Sequence, residues 1–108
     1  METEDNLIAS TKLNPFPAWL VLRVMDETTR KERNADGLAS RNGEVLTIEL
    51  YSKLTRREAI IVLAHEIEHI LEMLEDVIED SLRGEFRAYM MGWIMEWCYD
   101  AFCARKRK

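Results

Sequence analysis

The chain has 108 residues, enough for one domain with a modest core and too few for two. With 47% apolar and 32% charged residues it is globular rather than disordered. Its formal net charge of −5 argues against duplex nucleic acid as the main partner, because phosphate binding asks for a basic face, and only the last four residues, Arg105-Lys106-Arg107-Lys108, run the other way.

No early stretch combines a basic segment, an apolar segment and a small-residue cleavage site. The longest apolar run near the start, Ala18 to Leu22, is far too short to span a bilayer. The expectation is a cytoplasmic protein with no membrane partner. Residues 1–14 read as a polar, loosely held start. In "NPFPAWL", Pro17 suits a first helical position, and Ala18, Val21, Leu22 and Met25 recur at helical spacing. That helix should fade in the charged run from Arg30 to Asn34.

Asn42-Gly43 then reads as a two-residue hairpin turn, since both residues tolerate positive φ. Leu46, Ile48 and Leu50 alternate with Val45, Thr47 and Glu49, which puts the first set on a buried face. A short strand near Leu38 to Ser40 would pair with them in a small antiparallel sheet. Thr55-Arg56-Arg57-Glu58 is a capping box, so a helix should run from Arg56 to about Glu75. Ile60, Leu63, Ala64, Ile67, Leu71 and Leu74 form its apolar stripe.

The acidic segment "EDVIED" contains a break, and a last helix should start near Ser81 or Leu82 and run to the basic tail, whose cations suit the negative end of the helix dipole. Met90, Met91, Trp93, Ile94, Trp97 and Phe102 give this helix apolar residues on more than one face. One face serves the core; another could bury against the first helix around Trp19 or in a homodimer. Cys98 and Cys103 lie on different faces of the same helix, where a disulfide would be strained, so they are expected as free thiols. The order of elements gives an α+β class.

Both histidines of the chain fall in "LAHEIEHILE". On a helix His65 and His69 lie about 40° apart and one turn up from each other, roughly opposite the apolar stripe. Two imidazoles so placed can reach a single ion at about 2.0–2.1 Å. Glu66 cannot join them as a ligand, but it can take a proton from a metal-bound water. An H-E-x-x-H string arises by chance in well under about one in a hundred chains of this size. Glu66-x-x-His69 also resembles half of a di-iron site, but that site needs a second such pair and the chain has no third histidine.

A zinc hydrolase takes a third protein ligand and leaves one position open. Glu72 shares the helix and approaches from the same side as the histidines, and Glu79 falls in the turn. Glu85 follows His69 by enough residues for a second helix to return antiparallel; Glu96 would demand a different crossing. Gly84, Ala88 and Gly92 would let two helices approach closely around Glu85.

At this point His65-Glu66-x-x-His69 followed by Glu85-x-x-Ala88 resembles the gluzincin metallopeptidases, and most of all the single-domain minigluzincins. The likeness covers about residues 44–97. It implies a zincin-like fold: an N-terminal helix, a small antiparallel sheet, an active-site helix and a C-terminal glutamate helix. It implies one zinc per chain on His65, His69 and Glu85, with Glu66 as general base in hydrolysis of peptide or protein substrates. The strand Val45 to Leu50, with Leu46, Ile48 and Leu50, would be the rim that pairs with extended substrate. Tyr89, one turn after Glu85, and Tyr51 are candidates to stabilise the oxyanion. The tail after Phe102 could block the cleft and leave the enzyme latent. From a different class comes a second reading, a regulatory or interaction module that holds zinc without turnover.

Overall fold

A computed structural model describes residues 6–105. The chain order is β1 (Leu7–Lys12), β2 (Trp19–Met25), α1 (Glu27–Arg33), β3 (Gly37–Asn42), β4 (Val45–Tyr51), α2 (Arg56–Ile78) and α3 (Gly84–Ala104). The four strands form one mixed sheet in the order β1-β2-β4-β3. β1 and β3 pair antiparallel with their neighbours, and β2 runs parallel to β4 with Leu20 opposite Leu46 and Leu22 opposite Ile48. The class is therefore α+β. No helix of the described residues is long and apolar enough to cross a membrane.

The expected first helix is a strand. "WLVLRVM" is a short continuous apolar run that fits a period of two as well as a helical one, and pairing decides between them. Leu20 and Leu22 then share one buried face with Leu46, Ile48 and Leu50. Within the start read as loose, residues 7–12 form β1, an edge strand whose six residues include no fully buried one to announce it. The chain becomes helical only beyond Met25. There Asp26 accepts the Thr29 amide at 2.8 Å as N-cap and Asn34 closes α1 in the left-handed conformation. No residue of α1 is buried; Arg30 holds it by bonding Asp36 at 2.8 Å and lying over the Tyr51 ring.

The hairpin forms, shifted by one residue. Asn42 pairs with Val45, so Gly43 and Glu44 are the turn, and only Gly43 has positive φ. Glycine at the first central position is the choice of a type II′ turn.

The capping box forms as expected: the Thr55 hydroxyl accepts the Glu58 amide at 3.1 Å and the Glu58 carboxylate accepts the Thr55 amide at 2.9 Å. Leu63, Ile67, Leu71 and Leu74 are buried, but Ile60 is 46% exposed and Ala64 is exposed, while Ala59 and Ile70 replace them inside. The buried face of α2 is thus turned by about half a residue step, roughly 50°. The reason is that α2 must cover the sheet and α3 together. The turn carries Glu66 inward.

At the break, Glu79 ends α2 in the left-handed conformation. The Ser81 amide bonds the Asp80 carboxylate and the Leu82 amide bonds Glu75 at 2.7 Å, so α3 begins only at Gly84. Met90, Ile94, Cys98 and Phe102 form its buried line against the same core. Gly84, Ala88 and Gly92 are exposed, and a Cβ added at either glycine would meet nothing. Small residues therefore do not mediate the α2–α3 approach. Cys98 and Cys103 are free thiols.

Candidate metal centre

The capped, sheet-packed α2 fixes where the motif points. His65 and His69 are exposed, with their Nε2 atoms 3.3 Å apart and their rings at 82°. Two zinc–nitrogen bonds of about 2.0–2.1 Å at a tetrahedral angle separate their nitrogens by about 3.3–3.4 Å. That separation matches the bite of a zinc chelate, and equally a hydrogen bond between the two rings. Behind the pair, His69 Nδ1 lies 3.7 Å from a Glu72 carboxylate oxygen.

Glu66 differs from both histidines. It is the one charged side chain in the buried set among the described residues, at 7% exposure. β3 causes this burial. A Cβ on Gly37 would stand 2.4 Å from Val62 Cγ1 and 3.2 Å from Glu66 Cγ, so only glycine lets the strand lie this close to α2. The histidines thus sit between two flanks of α2: Val62 and Glu66 face β3, and Glu68 faces α3, where it pairs with Arg87.

β3 is also an open edge of the sheet, as β1 is at the other side. Tyr51 donates its amide to the Asp36 carbonyl at 2.9 Å, which sets the antiparallel phase. Asp36, Leu38, Ser40 and Asn42 turn their main chain to β4, and Gly37, Ala39 and Arg41 turn theirs outward. The rim assigned to Leu46, Ile48 and Leu50 is corrected accordingly. β4 is paired on both sides, and these three side chains are fully buried in the core.

The third ligand is not in place. The inward direction of α3 is that of Met90, Ile94 and Cys98, and Arg87 falls on it. Glu85, two residues earlier, points roughly 160° away, and Glu96 about 180° away, at about 100° per residue. Both are exposed. Among the described residues no group of three or more His, Cys, Asp and Glu side chains could hold a metal ion. The imidazole pair fits zinc, but α3 turns Arg87 and not Glu85 toward α2, where Arg87 pairs with Glu68 and leaves its Nη1 buried without a partner. Tyr89 is 64% exposed and lines a cavity of about 280 Å³ with Thr11, Leu13, Asn14 and Trp93, away from the histidines. Tyr51 is engaged elsewhere, its hydroxyl bonded to Glu27, whose carboxylate pushes the phenol pKa up. Of the tail, Arg105 donates to the Ser52 carbonyl and lies over Phe102, and residues 106–108 lie outside the described residues.

Two residues of this site were not anticipated. Gly37 opens a strand, where an isolated glycine signals close backbone approach. Arg87 is the one basic residue between Gly84 and Ala104, and it is in register with Met90, Ile94 and Cys98. No family model, curated protein or solved structure matches this chain.

Proposed function

We propose that the protein is a small cytoplasmic zinc-dependent endopeptidase that works through its H-E-x-x-H helix, built as a single zincin-like domain. The observation that carries the reading is a carboxylate, Glu66, held almost out of solvent between a chelate-spaced histidine pair and an open strand edge. Burying an acid is costly, so a fold that does so beside two adjacent imidazoles supports the reading of a working site.

His65 and His69 would hold the metal, which supplies a Lewis acid to polarise the scissile carbonyl and acidify water. An extended peptide adds to β3 through the outward main chain of Ala39 and Arg41, and so runs toward the flank of α2 that carries Glu66. Glu66 takes a proton from the attacking water as the new C–O bond forms. It returns that proton to the leaving nitrogen as the C–N bond breaks. The near absence of solvent around Glu66 keeps the proton between these partners.

Replacing Glu66 with Gln should leave zinc binding intact and lower peptide hydrolysis by about 10²- to 10⁴-fold. A variant that cleaves a peptide library as fast as the parent would end this mechanism.

The outward Glu85 and the inward Arg87 favour a second reading, a zinc-binding regulatory module without turnover. Stoichiometric zinc with no cleavage of any library peptide by the parent protein would decide for it.

A further inference from the structure

The outward side of α3 takes no part in the histidine site. Phe86, Tyr89 and Trp93 are 45%, 64% and 38% exposed, although they are large and apolar. With Trp97 they recur at steps of three and four, so the four rings follow one flank of the helix over roughly 17 Å. Phe16 holds Phe86 edge-on at 5.8 Å, and the Trp93 and Trp97 rings are parallel within 6°. The strip is thus an ordered row of aromatic faces.

A cavity of about 440 Å³ opens along the C-terminal half of this row, lined by Trp93, Glu96, Trp97, Asp100, Ala101 and Ala104. Its charged members are two carboxylates. The one cation within α3, Arg87, lies on the flank toward α2 and is paired with Glu68. Among the described residues neither Glu96 nor Asp100 has a salt-bridge partner.

Indole faces beside carboxylates attract cations twice, through the ring quadrupole and through charge-assisted hydrogen bonds. The same acids repel phosphate and so disfavour nucleic acid and anionic lipid headgroups as occupants, although Lys12 lines the adjoining cavity at Tyr89 and Trp93. Two carboxylates with no third donor are too few for a metal. The strip's length suits about five residues of extended chain rather than a small cation alone.

We propose that this face of α3 docks an arginine- or lysine-bearing segment of a partner protein, the cationic side chains lying over Trp93 and Trp97 and reaching Glu96 and Asp100. The contact is independent of the histidine site.

The test is fluorescence anisotropy of the full chain with a labelled peptide of alternating Arg and Leu and a counterpart carrying Glu for Arg. The Arg peptide should bind at least about tenfold more tightly, and less tightly as salt rises. Glu96→Lys with Asp100→Lys, both on the surface, should cost it about tenfold or more, and Trp93→Ala a similar factor. Equal binding of the two peptides, or an affinity unmoved by the double charge reversal, would overturn the proposal. So would sedimentation of the free protein as a dimer that Trp93→Ala dissociates, since the face would then belong to a second copy.

Discussion

Glu66 and His65 are neighbours in the chain with opposite fates, and the difference is a matter of angle. About 100° of helix turn takes Glu66 under β3 and leaves His65 in solvent. Their substitutions should separate accordingly. His65→Ala or His69→Ala should abolish stoichiometric zinc binding in elemental analysis, because one imidazole alone is a weak ligand. Glu85→Ala should leave zinc affinity within about twofold, because that carboxylate faces away from the pair. A loss of tenfold or more on removing Glu85 would instead show that the first turn of α3 rotates on metal binding.

Cys98 gives a second test at this scale. Burial pushes its thiol from the usual 9.0 up to about 12. A folded-state pKa above the unfolded one favours folding fully below the unfolded value and loses that benefit as pH rises. Cys98 therefore weakens stability between about 9 and about 12, where only the unfolded chain sheds the proton. Iodoacetamide under mildly alkaline native conditions should label Cys103 and spare Cys98, and mass spectrometry reads the difference. Equal labelling would contradict the burial.

At the scale of elements, the β3–α2 contact is what makes a site of a helix face. Gly37→Ala would drive a methyl into Val62, a β-branched side chain with little room to turn. The expected cost is about 1–3 kcal/mol in denaturant unfolding. Val62→Ala in the same chain should recover much of it, since the 2.4 Å contact is then removed and only the milder 3.2 Å approach to Glu66 Cγ remains. If the double variant is as unstable as the sum of the two single ones, β3 and α2 are not coupled through this contact. The α2–α3 contact works through larger groups: the Arg87–Glu68 pair at one end and the line from Met90 to Phe102 along the rest.

For the whole molecule, one face of the sheet meets both long helices and the core lies between them. Leu20, Leu22, Leu46, Ile48 and Leu50 supply the sheet side, and Leu63, Ile67, Ile70, Leu71, Leu74 and the buried line of α3 supply the other. Ile48→Ala should therefore cost about 2–5 kcal/mol, and Ile60→Ala, although it stands in the apolar stripe read from the sequence, well under half of that. Chemical denaturation of the two variants compares burial directly. Similar losses at both positions would mean that α2 sits in the orientation of the unturned stripe.

Local rules wrote much of this chain in advance. Thr55 and Glu58 satisfy each other's amides within one turn, so the start of α2 is legible without any partner. The alternation around Ile48 names its buried face, and the four-residue spacing of His65 and His69 sets their convergence. These are properties of a few covalently adjacent residues. The tertiary structure alone decided the rest, because each case depends on what lies across a gap. "WLVLRVM" is a strand because β4 offers parallel pairing; β3, not β4, holds an open edge because β2 occupies the other side. α2 turns by half a residue because it serves two neighbours, and that turn buries Glu66. Arg87 and not Glu85 stands toward α2 because Arg87 shares the line of Met90, Ile94 and Cys98, and packing against the common core decides that this is the line α3 buries.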